Sequence, residues 1–217
     1  PNLAETWRMA RVGLPSGVSS LSMSLFQSAL VRLVAEYGTS TVALFGMSQK
    51  ILRFGGTVVA GLGLGAGALI GQHLDVESEL RASLAAVLTV RVASGALRAF
   101  SAVVFVGAEC ITRIFFEDPA LTAPGAAYLR ILASGLPFLG LTAGAEHAYS
   151  GAGRNIPPMF LQLGTAWGLT VPLMLLLGKG LGWGPAGTIA GVSLGQLLGG
   201  GVAVWLVRRG SWLTHQV

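Results

Sequence analysis

The chain has 217 residues, of which 53% are hydrophobic and only 11% are charged, and its mean hydropathy is +0.69. Soluble domains usually carry about 25% charged residues, so the composition excludes an ordinary soluble domain and indicates a membrane protein. The net charge of +5 does not indicate nucleic-acid binding, because the basic residues are scattered among apolar runs.

Six apolar runs are each long enough to cross a bilayer core of about 30 Å, which takes about 20 helical residues. They predict spans at approximately residues 12–34, 39–72, 80–107, 120–150, 156–178 and 186–207, within a single membrane domain of residues 1–217. "ITRIFFEDPALTAPG" is predicted to connect the third and fourth spans, and Pro172 is expected to kink the fifth. The predicted fold class is all-α, a polytopic membrane protein.

Basic residues near the ends of the runs predict the orientation. With six spans both termini share one side, and that side holds Arg8, Arg11, Arg81, Arg154, Arg208 and Arg209, against chiefly Arg113 and Lys179 on the other. We therefore expect both ends in the cytoplasm, with the chain in a bacterial plasma membrane. The chain starts at Pro1 without the order of a signal peptide, so we expect a fragment or a processed product.

Ionisable residues inside the spans are the first candidates for function, because each needs a partner or a water-filled cavity. Lys50 and Arg53 share a helix face and either line a transport cavity or pair and snorkel. Arg91 and Arg98 also share a face, where lobe-stabilising contacts or lipid head groups suit them better than a cation pathway. Glu146 either exchanges protons from a buried position or snorkels to the interface.

Uncharged amides and glycine stripes are the next features. Gln27 and Gln162 lie deep enough to line a cavity, although an interhelical hydrogen bond is the simpler role. Glycine recurs at every fourth position in two runs, a spacing that suits close helix crossing. The two stripes are Gly63, Gly67 and Gly71, and Gly187, Gly191, Gly195 and Gly199. Tight packing within the chain is the expected use, and a dimer seam or moving interface is the alternative.

The stretch "YSGAGRNIPPMF" (residues 149–160) has the glycines of a phosphate-binding loop. Such a loop follows a strand and usually contains Lys next to Ser or Thr, whereas here an apolar helix precedes the glycines and two prolines follow. Pro157 and Pro158 suit the first turn of a helix, where a missing N–H costs little. The stretch therefore predicts a cytoplasmic turn between two helices.

Chemical sites of other kinds are not predicted. The single cysteine, Cys110, and three widely separated histidines offer neither a disulfide nor a zinc-ligand spacing. No Ser-His-Asp or paired-carboxylate arrangement stands out. We therefore expect no enzyme activity, no metal site and no cofactor.

Several motifs together resemble the multidrug and toxic compound extrusion (MATE) transporters. "YSGAGRNIPPMFLQLGTAWGLTVPLMLLLGKGLGWGPAGTIAG" is similar to the family's turn and its helix with a mid-span proline, and "FFEDPALTAPGAAYLRI" to a connection before it. "GLPSGVSS", "VALFGMSQKILRF" and "GLGLGAGALIGQHL" resemble the opening G-x-P helix, the helix with a basic residue, here Lys50, and the V-G-Q turn. The resemblance gives structural roles to Pro15, Gly71, Gln72, Gly151, Gly153, Pro157 and Pro172.

The resemblance runs from about Arg11 to Trp212 and implies one six-helix lobe, most like the C-terminal lobe of a two-lobe transporter. It also implies a second six-helix lobe, in the same full-length chain or in a second copy. Some family members place one cation-coupling acid in the first helix of this lobe and another in the fourth, but no acid occurs here between Arg11 and Glu36. Other members couple through the first lobe. The sequence therefore identifies no site for the coupling ion, whether proton or sodium.

The leading functional hypothesis is a secondary-active antiporter that exports amphipathic or cationic drugs and toxins in exchange for protons or sodium, by alternating access. Its expected partners are the lipid bilayer, a small amphipathic or cationic substrate and the second lobe. A lipid-linked sugar flippase of related architecture is an alternative, because the basic residues in the spans would suit a pyrophosphate group. A non-transporting membrane assembly module that uses the glycine stripes is the third hypothesis.

Overall fold

The computed structural model describes residues 3–75, 79–151 and 156–209, and all regular secondary structure in these ranges is helical. The helices are α1 (Leu3–Ala35), α2 (Thr39–Asp75), α3 (Glu79–Phe115), α4 (Pro119–Gly151), α5 (Ile156–Gly180) and α6 (Gly184–Arg208). The prediction of an all-α fold with six long helices is confirmed.

Five of these helices, considering the described residues, are long and apolar enough to cross a membrane. The spans are Gly17–Ala35, Val87–Phe115, Pro119–Ser150, Ile156–Gly180 and Gly184–Arg208. Helix α2 has 37 residues, as many as α3, but it is not among the five. It carries Lys50 and Arg53 in its middle, and these two residues are considered further below.

The connection between α3 and α4 is shorter than predicted. The predicted third span ends at residue 107, and residues 111–125 are predicted to form a connection. That prediction is wrong for most of the stretch, since only residues 116–118 lie between the helices. Thr112 is fully buried, next to Gly125 of α4, and its hydroxyl donates to the Ala108 carbonyl at 2.8 Å. Asp118 Oδ1 accepts a hydrogen bond from the Ala120 N–H at 2.9 Å and begins α4 as a cap.

Helix α4 is the centre of the bundle. It packs against α2, α3 and α6, and its residues Leu129, Leu132 and Leu136 are completely or almost completely buried. Phe45 of α2 and Leu97 of α3 belong to the same core. Because lipid is as apolar as these side chains, van der Waals packing rather than removal from water stabilises the contacts. Helix α1 packs more lightly, mainly against α2 and α5.

The glycine stripe of α6 packs against α5, which confirms the expected use within the chain. A Cβ atom at Gly191 would lie 2.5 Å from the backbone nitrogen of Met174, so only glycine allows this approach. The other stripe residues, Gly187, Gly195 and Gly199, lie in the same way against Leu177, Thr170 and Thr165. In α2, Gly63 is buried against His147 of α4, while Gly67 and Gly71 lie outside the residues whose packing is described.

Helix α5 is irregular around Pro172, where a kink is predicted. It is α-helical over Ile156–Leu163 and Val171–Leu175 and π-helical over Gly164–Thr170 and Leu176–Gly180. Proline has no N–H to close the usual helical hydrogen bond, and a local π-helical widening is one way in which a helix accommodates such a break. Thr170 Oγ1 donates to the Thr165 carbonyl at 2.9 Å across the first π-helical stretch.

Candidate functional site

Helix α1 contributes Leu30 and Val34 to the core, and its described polar contacts include one group in its middle and one beyond its end. In its middle, Trp167 Nε1 of α5 donates to Ser22 Oγ at 2.9 Å, and the Trp167 ring meets the Phe26 ring edge to face at 5.9 Å. Beyond its end, Lys179 Nζ lies 2.7 Å from a carboxylate oxygen of Glu36. The space towards the other end of α1 is less filled and contains two adjoining cavities.

The inner cavity has a volume of about 130 Å³ and lies between α1, α4, α5 and α6. Its wall is mainly apolar and is formed by Met23, Phe26, Leu139, Ala143, Pro158, Leu161, Ala166 and Val192. Its polar lining residues are Thr142, Glu146, Gln162, Thr165, Thr170 and Gln196. An apolar cavity with a few convergent polar groups is the usual form of a small-molecule site.

The outer cavity, of about 250 Å³, shares Met23, Glu146, Pro158 and Gln162 with the inner one. Its other lining residues are mostly hydroxyl-bearing and are Ser19, Ser20, Ser150 and Met159. The lining therefore changes from serines outside to aliphatic and aromatic side chains inside. Glu146 and Gln162 line both cavities and stand at the boundary between them.

Gln196 of α6 lies at the end of the inner cavity that is farther from the outer cavity. Its Oε1 atom is buried and has no hydrogen-bond partner among the described residues, and a Cβ at Gly135 of α4 would collide with it. Gly135 and Glu146 are 11 residues apart on α4, which is about 17 Å along a helix. The carboxylate of Glu146 and the amide of Gln196 therefore lie at different depths and cannot hold one small ion together.

The chemistry that this lining can perform is the reversible binding of a proton or a small cation near Glu146. Carboxylate, amide and hydroxyl oxygens are the ligands of hard cations, and Glu146, an exposed residue that lines both cavities, offers its carboxylate to such an ion. The neighbouring His147 is not among the cavity residues, because its ring lies against Gly63 of α2. The described residues hold no cluster of three His, Cys, Asp or Glu side chains that could bind a metal ion.

The structure brings together two of the five predicted transport residues, Glu146 and Gln162. Gln27 is half-buried in α1 and does not line either cavity, and Lys50 and Arg53 are exposed on α2. Arg91 and Arg98 are exposed on α3. The threonines and Gln196 are cavity residues that were not predicted from the sequence. For Gln196, the sequence signal is its position directly after Gly195 of the glycine stripe.

The residues with family motif roles lie at helix ends and breaks where they are described. Pro157 is half-buried in the first turn of α5, and Pro172 is exposed at the start of the second α-helical stretch of α5. Gly151 is the last residue of α4. Pro15 lies in α1, and Gly71 and Gln72 lie in α2, with surroundings outside the described part, and Gly153 lies wholly outside it.

Residues 15–176 match the sequence pattern of the MatE family. The chain belongs to this family. It is therefore a multi-pass membrane protein of the MATE transporter family. The chain is also 24% identical over 212 residues to the probable multidrug resistance protein YpnP of Bacillus subtilis (strain 168), covering 98% of this chain and 47% of that protein.

The fold of this MATE chain is shared with solved structures. The outward-facing structure of a multidrug resistance MATE family transporter of the MOP superfamily superposes with a TM-score of 0.90 at 20% identity, over 98% of this chain and 48% of the other. An inward-facing structure, also described as a multidrug resistance MATE family transporter, gives a TM-score of 0.87 at 20% identity, over 98% and 50%. The chain thus spans about half the length of the proteins it matches.

Proposed function

We propose that this chain is one half of a secondary-active antiporter that exports amphipathic compounds in exchange for protons or sodium. The observation that carries the proposal is the cavity between α1, α4, α5 and α6, in which Glu146 is the one carboxylate among the lining residues, in a chain of a transporter family. The second half is a further six-helix lobe, from the same full-length chain or from a second copy. We refer to the chain with its second half as the assembled protein.

In this mechanism the ion binds at Glu146 and the exported compound binds in the assembled protein, each stabilising a different orientation of the two halves. A ligand shifts such an equilibrium only by its difference in affinity for the two states. The similar match of this lobe to outward-facing and inward-facing structures supports a lobe that moves largely as a rigid body. The light packing of α1 against its neighbours makes it the helix that can move most easily within the lobe.

The orientation belongs to the same proposal. Both chain ends lie in the cytoplasm of a bacterial cell, as the basic residues near the span ends favour. The outer cavity, lined by Ser150 close to the end of α4, then opens towards the cytoplasm. A proton or sodium ion that entered from outside would leave through this opening.

The test is Glu146→Gln in the assembled protein, expressed in efflux-deficient bacteria at verified membrane levels, with the accumulation of one anionic and one cationic amphipathic dye as the readout. The variant keeps the size of the side chain and removes its charge, so we expect accumulation to return to the level of cells without the protein. Glu117→Gln is the matched control, because Glu117 is an exposed acid in the connection between α3 and α4. Full efflux by Glu146→Gln would contradict the role of Glu146.

A second candidate function is a lipid-linked sugar flippase, and the exposed pair Lys50 and Arg53 favours it. Such a protein must bind a pyrophosphate group, for which paired cations are suited. Complementation of a flippase-deficient strain by the assembled protein would support this candidate, and efflux of either dye without complementation would support the antiporter. The absence of both activities in a folded, membrane-inserted protein would favour a non-transporting assembly module.

A further inference from the structure

Lys50 and Arg53 form an exposed basic pair on α2. They are three residues apart, and both side chains are exposed on the same side of the helix. Within the described part of the chain, neither side chain forms an ion pair or a hydrogen bond. The pair thus offers its N–H groups as hydrogen-bond donors to whatever covers this face.

The depth of the pair in the membrane follows from its distance to the first residue of α2. On the side of the membrane where α2 begins, charged residues around the helix ends mark the boundary with water. They include Glu36, Asp118 and Lys179. Lys50 and Arg53 lie 11 and 14 residues after Thr39, where α2 begins, which is about 17 and 21 Å along a helix. In a hydrocarbon core of about 30 Å, the pair lies near the middle.

Two cations at that depth do not face lipid tails, because a charged side chain in the middle of the hydrocarbon is costly. Another cation at a similar depth has partners within the lobe. Arg130 of α4 donates to Glu109 Oε1 at 3.1 Å and to the Phe105 carbonyl at 3.3 Å, so its charge is compensated within the lobe. The exposed face of α2 therefore lines a water-filled space or meets an anionic group.

An apolar shelf adjoins the basic pair. Phe54, directly after Arg53, is 69% exposed, and Val58 one turn further is also exposed. The Phe54 ring rests beside the Phe100 ring of α3, with centroids 6.3 Å apart. Gly55 makes this arrangement possible, because a Cβ there would lie 2.5 Å from Phe100 Cδ1. A basic pair beside an aromatic shelf is complementary to an amphiphile with an anionic head.

We propose, on the basis of the proposed antiport function, that the face of α2 formed by Lys50, Arg53, Phe54 and Val58 binds the anionic head group of the transported amphiphile. The head is a phosphate, sulfonate or carboxylate, held by charge-assisted hydrogen bonds from Lys50 and Arg53. Its apolar part lies on Phe54 and Val58. The described residues of this face include no acid that would attract a cationic head, so this site selects anionic over cationic amphiphiles.

The test uses the assembled protein in detergent and two fluorescent probes that share one dansyl-alkyl chain and differ only in the head group, phosphate or trimethylammonium. The unmodified protein is expected to bind the phosphate probe about tenfold or more tightly, because two charge-assisted bonds are made only with that head. K50Q/R53Q is expected to remove the preference, and K50E/R53E to reverse it. The control R91Q/R98Q removes two exposed arginines of α3 and is expected to retain the preference.

Three results would overturn the proposal. Equal binding of both probes by the unmodified protein would mean that the second half neutralises the pair. An equal loss of preference in R91Q/R98Q would mean that the effect is a general surface charge, and displacement of the probe by inorganic phosphate at similar concentrations would mean a site for a free anion. Melting temperatures of all variants identify any that fail to fold. If K50E/R53E does not fold, the head-group preference of K50Q/R53Q alone tests the proposal. Ion-driven transport is measured separately, so head-group selection without transport would leave this site intact and reject the antiport function.

Discussion

Thr188 Oγ1 of α6 donates a hydrogen bond to the Tyr37 hydroxyl at 3.0 Å, directly after the end of α1. One residue earlier, Glu36 pairs with Lys179 of α5 at 2.7 Å. These two contacts hold the end of α1 opposite to the cavity. Because α1 packs lightly elsewhere, this end is where α1 is fixed when its other part moves.

The first prediction concerns this attachment. The double variant Y37F/K179Q removes the hydroxyl acceptor and the ion pair, each worth about 1 kcal/mol or less. We expect faster amide hydrogen exchange in the last turns of α1 and little change in α4. Ser40→Ala is the control, since Ser40 is an exposed residue at the start of α2. Unchanged exchange in α1 would show that the attachment lies elsewhere.

The second prediction concerns the close approach of α5 and α6. Gly191→Ala places a Cβ against the Met174 backbone, so the helices must separate, and we expect a loss of about 1 to 3 kcal/mol in unfolding free energy. Gly201→Ala on the same helix has no atom within 4 Å of the new Cβ and should gain up to about 1 kcal/mol from helix propensity. Equal effects of the two substitutions, measured by unfolding in mixed micelles, would contradict this packing.

The third prediction concerns the inner cavity. Ala143→Phe places a ring in a space of about 130 Å³ lined by Ala143 itself. We expect transport to stop while the protein remains folded, because the cavity can accept added volume. Ala127→Phe places the same ring on an exposed part of α4 and should retain transport. Normal dye efflux by Ala143→Phe at equal expression would show that the cavity has no part in transport.

The fourth prediction concerns Arg130 and Glu109. Their side chains are 37% and 55% exposed, but at this depth they face the bilayer rather than water, so E109Q, which leaves the Arg130 charge without its partner, is expected to cost about 2 to 3 kcal/mol. A double-mutant cycle with R130M and E109Q measures the coupling directly. Additive effects of the two substitutions would mean that the hydrogen bond to the Phe105 carbonyl, rather than the ion pair, positions Arg130.

The number and length of the helices could be predicted from the sequence, because a bilayer of fixed thickness demands apolar runs of a definite length. The glycine stripe of α6 could also be predicted from the sequence, since a spacing of four residues places Gly187 and Gly191 on one face of a helix. The short connection before α4 could not be predicted from the sequence. Residues such as Phe115 and Asp118 give the stretch a polar and aromatic composition, whereas Thr112 is buried by tertiary packing. Composition alone does not show such packing.

The candidate site was predictable only in parts. Glu146 stood out as a carboxylate inside a span, and Gln162 as an amide inside another. That they share a cavity depends on how α4 and α5 both pack against α6. The approach of α5 to α6 in turn depends on the contacts of particular glycines, such as Gly195 with Thr170. The burial of Gln196 Oε1, which has no hydrogen-bond partner among the described residues, depends on how α6 packs against α4. A single sequence contains no direct signal of such crossings.

The measurement that tests the central claim most directly is ion-coupled flux in liposomes that contain the purified assembled protein. A proton or sodium gradient is imposed, and dye movement and counter-ion movement are recorded together. The antiporter account predicts that each gradient-driven step of dye transport is matched by ion flux in the opposite direction, and that Glu146→Gln abolishes both while Glu117→Gln abolishes neither. Dye movement that is independent of both gradients, or no movement by a folded and correctly inserted protein, would contradict it.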